Sequence, residues 1–230
     1  MESHQFIFRK YVPEDASRCT EITQSTWPVP DWVAVKAEKR MLIQSYVEIS
    51  VENSNWAEVA CESKGGKVIG MLYGEIRPGS KRSFAFTSLL TELSMFSRMM
   101  LTGSLKESGN RAMTFLRFIL TEIKVALNNP RSDAYVDLFL VDPEYKGKGA
   151  GKGLMDRFVK DAIMQGATSI SLYTENTGSN WRFYEKYGFK KVNTFKDNGT
   201  SFYYNKKVTG MIYHLNLKDT VQKDTFSTQD

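Results

Sequence analysis

The chain has 230 residues, with 31 Lys and Arg against 26 Asp and Glu, a formal net charge of +5. Hydrophobic residues make up 41% and charged residues 25%, a globular balance that excludes a disordered or fibrous chain. No apolar run approaches the ~18 residues of a membrane span, and residues 1–10 lack the apolar stretch of a secretory signal. Two cysteines (Cys19, Cys61) and two histidines (His4, His214) are too few for a disulfide framework or a Cys/His zinc centre. The expectation is a cytoplasmic protein with reduced thiols.

Residues 6–12 form a short β-rich run and predict a first strand. Pro13-Glu14-Asp15 then opens a helix, with acidic residues suited to its first turn. Ala16, Cys19, Ile22 and Thr23 continue it at helical spacing. Trp27-Pro28-Val29-Pro30-Asp31-Trp32 ends that helix in a rigid, tryptophan-rich loop, and a second helix runs from Val33 to about Ser50. Residues 56–62 and 68–76 flank Lys64-Gly65-Gly66-Lys67 and read as a β-hairpin.

Residues 77–133 are rich in Met, Leu and Phe and read mainly as helix. Ala112, Leu116, Ile119, Ile123 and Leu127 share one helical face, and Asn128-Asn129-Pro130 stops it. An α/β rhythm comes next. It comprises a strand at 134–141, a helix to about Gln165 ended by Gly166, and a strand at 169–174. A short helix at 179–187 closes on Gly188, strands cover 189–195 and 211–217, and the tail from Lys218 is polar. No repeat or low-complexity tract interrupts this order.

The most informative segment is Lys146-Gly147-Lys148-Gly149-Ala150-Gly151-Lys152-Gly153, between a strand and a helix. A Walker A loop would need Gly at 146 and Ser or Thr at 153; the residues are Lys146 and Gly153. A dinucleotide GxGxxG fails at Lys152 in one register and at Leu154 in the other. What remains is a basic residue, two residues, Gly, one residue, Gly. Glycines let the backbone approach a ligand, and free N–H groups at a helix start hold a phosphate. The bland alternative is a surface turn.

The stretch 136–192 resembles a GCN5-related N-acetyltransferase (GNAT). Two motifs carry the likeness. One is Asp137-Leu138-Phe139-Leu140-Val141, then Asp142-Pro143-Glu144-Tyr145 and the loop through Gly151. The other is Phe183-Tyr184-Glu185-Lys186-Tyr187-Gly188-Phe189. Lys146 departs from the family's usual Arg or Gln. The resemblance implies a mixed α/β fold, with a mostly antiparallel central sheet and flanking helices. Residues 1–217 would form one domain with a helical insertion at 77–133, and 218–230 a tail.

The resemblance further implies acetyl-CoA as acyl donor. Pantetheine would lie along the backbone of Phe139, Leu140 and Val141. The pyrophosphate would lie on Lys146, Gly147, Lys148, Gly149, Ala150, Gly151 and Lys152. A backbone N–H near Leu140 or Val141 would polarise the thioester carbonyl, and Tyr184 would be the general acid. Asn176 and Asn180 are candidates for a pantetheine contact. Asp137 and Glu175 are candidate bases, since an amine must lose a proton before it attacks. Each of these side chains also has a structural reading: core aromatics, surface carboxylates.

The acceptor expected is a primary amine of a small molecule or peptide. The Met-rich helices (Met95, Met99, Met100, Met113) are read as extra core or a homodimer face in preference to an acceptor-pocket wall or lid. A non-catalytic acyl-CoA sensor, acyl transfer to oxygen, and a longer acyl chain are the competing readings. Nucleic-acid binding is disfavoured, because the basic loop has no interleaved aromatics beyond Tyr145.

Overall fold

Residues 6–31, 36–79, 109–177 and 181–218 are described in a computed structural model of the chain. Strand β1 (Phe6–Lys10) and helix α1 (Ala16–Thr26) are joined by a 3-10 turn at Pro13–Asp15. The strand ends two residues before the predicted limit. Asp15 explains why: its carboxylate accepts from the Val12 N–H at 3.0 Å and from both Arg9 guanidinium nitrogens at 2.6 and 2.7 Å. That clip folds the chain back after Lys10. Helix α2 (Lys36–Asn53), strand β2 (Trp56–Glu62) and strand β3 (Val68–Ile76) come next, so the predicted hairpin is present with its limits unchanged.

Helix α3 (Gly109–Asn128) is the described part of the long Met-rich stretch; Met95, Met99 and Met100 lie outside the described residues. Strand β4 (Ala134–Val141), helix α4 (Ala150–Met164), strand β5 (Ser169–Glu175) and helix α5 (Trp181–Tyr187) continue the chain. Strand β6 (Lys190–Lys196), helix α6 (Asn198–Tyr203) and strand β7 (Thr209–Asn216) complete the order. Helix α6 has no counterpart among the elements predicted from sequence. Its start is fixed by Asp197, whose side chain caps the Thr200 N–H at 2.9 Å.

The seven strands among the described residues form one sheet in the order β1-β2-β3-β4-β5-β7-β6. Every neighbouring pair is antiparallel except β4 and β5. One face packs on α4 and α5 through Leu154, Met155, Phe158 and Tyr184. The other packs on α1 and α2 through Cys19, Ile22, Val47, Met71 and Tyr73. Both cysteines are buried and unbridged. Burial raises the Cys19 thiol to about 12, so it is not a thiolate at neutral pH.

Helix α3 reverses the expectation from its apolar pattern. Leu116, Ile123 and Leu127 are exposed, with Met113 and Leu120 beside them, whereas Thr121 and Val125 are buried. The reason is a polar dock. Thr121 donates to Asp197 at 2.9 Å and accepts from the Gly199 N–H at 3.1 Å, which turns that side of the helix onto α6. Among the described residues, no helix is long and apolar enough to cross a membrane.

Candidate active site

The site begins with a bulge. Tyr73 on β3 pairs with Leu138, but the next residue, Gly74, pairs with Val136. Asp137 is therefore the extra residue of β4, and a bulge bends its strand and re-aims the side chains beyond it. The consequence shows in the core. Ala134 and Val136 belong to the face under α4, whereas Leu138 and Leu140 belong to the face under α1 and α2. Without the bulge, residues 136 and 138 would share a face.

The same point ends the pairing with β5. Val136 with Leu172 is the last matched pair of the parallel ladder, while β4 stays paired with β3 to Val141. Beyond Val136 the β5-facing edge of β4 is open. Asp142 donates its N–H to Ile69 on β3 at 2.8 Å. Main-chain groups alternate sides along a strand. Those of Leu140 and Leu138 therefore face β3, and those of Phe139 and Val141 face the gap. Of the residues expected to hold pantetheine, Phe139 and Val141 offer hydrogen bonds there.

The loop adjoins this edge directly. Asp142 caps the 3-10 turn Pro143–Tyr145 by accepting from the Glu144 N–H, and Arg18 of α1 pairs with the same carboxylate. Gly147 and Gly149 have φ of +78° and +98°, a region L side chains rarely enter, and a Cβ on either would meet open space. These glycines serve the turn. Gly149 caps α4 without a side-chain bond, and the first bond into the helix is Gly153 N–H to Gly149 O at 3.0 Å. The N–H groups of Ala150, Gly151 and Lys152 therefore have no main-chain partner among the described residues. They form an anion cradle at the positive end of a 15-residue helix.

The lysines differ. Lys152 is bonded to Asp156 at 2.6 Å, and Lys148 sits 4.9 Å over the Tyr145 ring. Lys146 is exposed and has no ion pair among the described residues.

Tyr184 is 8% exposed and lies among rings, 6.2 Å from Phe139, 5.7 Å from Phe183, 5.9 Å from Phe189 and 6.0 Å from Tyr213. Burial pushes its phenol well above the usual range, so it carries its proton at any working pH. Its hydroxyl makes no hydrogen bond to a described residue. The contact with Phe139 places it beside the open strand edge.

The two candidate bases sit differently. Asp137 is partly buried, and its Oδ2 is enclosed without a hydrogen-bond partner. Desolvation raises its carboxyl to about 6; the Ser50 hydroxyl counters this and the charge of Glu75 adds to it. Glu175, at the end of β5, accepts from the N–H and hydroxyl of Thr177. Asn176 is exposed and accepts from the Thr209 N–H at 2.9 Å, which ties β5 to β7. Asn180 lies outside the described residues. Among the described residues, no group of three or more His, Cys, Asp or Glu is placed to hold a metal.

Sequence reasoning missed Ser50 and Glu75. Ser50 is a serine in a helix, with no motif around it. Glu75 is the penultimate residue of an otherwise apolar strand, and that misplaced carboxylate was the available signal.

Comparison with known proteins agrees with this architecture. Residues 92–208 match the family model described as an acetyltransferase (GNAT) domain. A mycothiol acetyltransferase from Propionibacterium freudenreichii subsp. shermanii is 35% identical over 88 residues, covering 37% of this chain and only 27% of that protein's length. The N-acetyltransferase from Staphylococcus aureus Mu50 superposes with a TM-score of 0.53 at 15% identity, over 93% of this chain and 99% of that one. The ribosomal-protein-S18-alanine N-acetyltransferase from Escherichia coli superposes with a TM-score of 0.53 at 12% identity, over 93% and 94%. At such identities the superpositions speak for the fold, while the family model spans half of the sequence and the bulge, open strand edge and glycine cradle lie within it. The chain belongs to the GNAT acetyltransferase family.

Proposed function

We propose that the protein transfers the acetyl group of acetyl-CoA to a primary amine by direct attack. The observation that carries this reading is the adjacency of two unsatisfied main-chain surfaces. The open edge of β4 at Phe139 and Val141 leads straight into the free amides of Ala150, Gly151 and Lys152. An extended ligand ending in a pyrophosphate suits both, since the edge offers strand-like bonds and the helix start offers an anion site. When bound there, acetyl-CoA supplies an activated thioester.

The chain's residues then divide the work. The N–H of Phe139 or Val141 stabilises charge on the thioester oxygen. Asp137 takes a proton from the incoming ammonium, and the freed amine forms the C–N bond as the C–S bond breaks. Tyr184 gives its proton to the leaving sulfur and recovers one from the acetylated nitrogen, so one proton in total passes to water. Glu175 is the alternative base. Its carboxylate is already engaged by the N–H and hydroxyl of Thr177.

Titration calorimetry with acetyl-CoA, with ATP and NAD as controls, tests the reading. Micromolar binding of acetyl-CoA alone is expected, and then CoA release across an amine panel. Binding without CoA release would favour a sensor. No binding by the folded protein would remove the donor site and with it the transferase reading.

A further inference from the structure

Helix α3 carries a surface with no part in the chemistry proposed above. Met113, Leu116, Leu120, Ile123 and Leu127 are all exposed, Leu127 at 80%. They recur every three or four residues and so form one row, about 21 Å long. At ~3.6 residues per turn that row lies opposite the buried Val125 and Thr121, the residue that docks on α6. It therefore points away from the body of the protein. Large apolar side chains in one exposed row mark an interaction surface.

The ground beside the row is cationic. From Asn128 back to Arg117, α3 runs antiparallel along residues 193–202. Asn193 donates to Asn128 at 2.8 Å, Lys124 to the Lys196 carbonyl at 3.1 Å and Thr121 to Asp197 at 2.9 Å, and the Arg117 guanidinium lies 4.5 Å over the Phe202 ring. Lys124 and Arg117 thus border the row on the side of β6, the edge strand of the sheet. Residues 182–207 hold seven Lys and Arg against two Asp and Glu, a net +5 equal to that of the whole chain. The seven cations are exposed, whereas Asp197 is buried. The excess positive charge of the protein is gathered at this edge, next to an exposed apolar row.

We propose that this surface docks on an anionic lipid bilayer, with the apolar row at the acyl boundary and the cations of the β6 edge over the headgroups. Stable attachment takes two signals, and an apolar helix face beside a basic patch supplies both. A second copy fits less well. If two α3 rows paired antiparallel, Arg117 of one copy would meet Lys124 of the other, and like charges repel. A single partner helix, about 10 Å wide, would cover the row and leave the lysines of β6 and Lys206-Lys207 unmatched. A bilayer meets both. The protein then lies on the membrane rather than across it, since no helix among the described residues is long and apolar enough to span one.

Co-sedimentation of the full chain with large unilamellar vesicles tests this. One set is pure phosphatidylcholine, and the other carries about 30% phosphatidylglycerol. Partition onto the anionic set is expected to exceed that onto the neutral set about tenfold, and to collapse at about 0.5 M salt. Leu116→Gln with Leu127→Gln should lower anionic partition about tenfold, and Lys190→Glu with Lys196→Glu likewise. Lys64→Glu with Lys67→Glu makes the same change of net charge at the turn between β2 and β3, and should leave partition within about twofold. All the replaced side chains are exposed, so the urea midpoint should hold in every variant. Equal partition onto the two sets, a leucine variant that binds as wild type, or equal losses in the two lysine variants overturns the proposal. So does a wild-type dimer in sedimentation velocity that the leucine variant splits, which gives the row to a second copy. A lower urea midpoint in the leucine variant gives the row to the chain's own residues and overturns it too.

Discussion

Asp137 is the residue whose stability and activity should move in opposite directions. Its carboxyl is raised to about 6 by desolvation, against about 3.9 in an unfolded chain. Between those two values the native state holds a proton that the unfolded state has lost. Stability therefore falls as pH rises through this window, and the loss is complete above about 6. The gap of about two pH units amounts to roughly 3 kcal/mol at pH 7.5 and roughly 1 kcal/mol at pH 4.5.

Asp137→Asn removes the charge and keeps the shape. Its cost of burying an amide is the same at both pH values, so the difference between them isolates the ionisation. Urea unfolding of both proteins at pH 4.5 and 7.5 should show the variant gaining roughly 2 kcal/mol relative to wild type on going to the higher pH. Of the facing groups, burial keeps Tyr135 neutral, and Arg77, Glu75 and Glu122 are common to both proteins. Acetyl transfer should meanwhile drop by about 100-fold or more, the usual contribution of a positioned base. An equal stability difference at both pH values would show that the carboxylate is not desolvated, and the case for it as base would fall with that result.

Other positions discriminate further parts of the reasoning. Tyr184→Phe should leave acetyl-CoA affinity within about twofold and lower turnover roughly 100-fold; equal turnover in stopped assays would reduce Tyr184 to a packing residue. Gly149→Glu should abolish acetyl-CoA binding by calorimetry, since it adds negative charge at the helix start. Gly149→Ala, at φ +98° with nothing for its methyl to strike, should cost about 1–2 kcal/mol of stability from backbone strain alone. Gly153→Ala is the structural counterpart: its Cβ would stand 2.2 Å from the Phe8 ring. The α4–β1 contact must yield, costing about 1–3 kcal/mol, while acetyl-CoA binding persists. Loss of binding in a stable Gly153→Ala protein would mean that the cradle extends further along α4 than its free amides suggest.

Much of the fold was legible because its signals are local. The hairpin limits at Trp56–Glu62 and Val68–Ile76 come from residue type and the Gly65-Gly66 turn. The glycine-lysine loop and the Phe183–Phe189 motif were visible as spacing. Helix α3 misled because its apolar stripe is real, yet the contacts that seat it are Thr121 with Asp197 and Val125 beneath. Nothing in a hydropathy pattern ranks one buried threonine above five exposed apolar side chains. Helix α6 was missed because Asn198–Tyr203 is only six residues long and held by a cap 76 residues from its partner Thr121 in sequence.

The bulge was invisible for a sharper reason. A strand buried on both faces has no alternation to disturb, and Ala134 to Val141 reads as apolar at every position but one. One extra residue in such a strand leaves no mark on composition or period, yet it decides the chemistry. It turns Leu138 and Leu140 to the opposite face from Val136, so the strand serves two cores. It sits where the ladder with β5 ends, so the free edge of Phe139 and Val141 opens at the same point. And the residue that occupies it is the single carboxylate of the strand. A regular strand would force a choice between burying Asp137 in one core and exposing it in the other. The bulge avoids that choice by holding the carboxylate at the seam, dry enough to raise its affinity for a proton and adjacent to the edge where an acyl group would lie. Deleting Asp137 outright should therefore do more than remove a base. Since Tyr73 already pairs with Leu138 and Gly74 with Val136, it should close β4 into an unbroken two-residue period, leave Leu138 to Val141 on the faces they now occupy, and remove the bend of the strand together with the carboxylate.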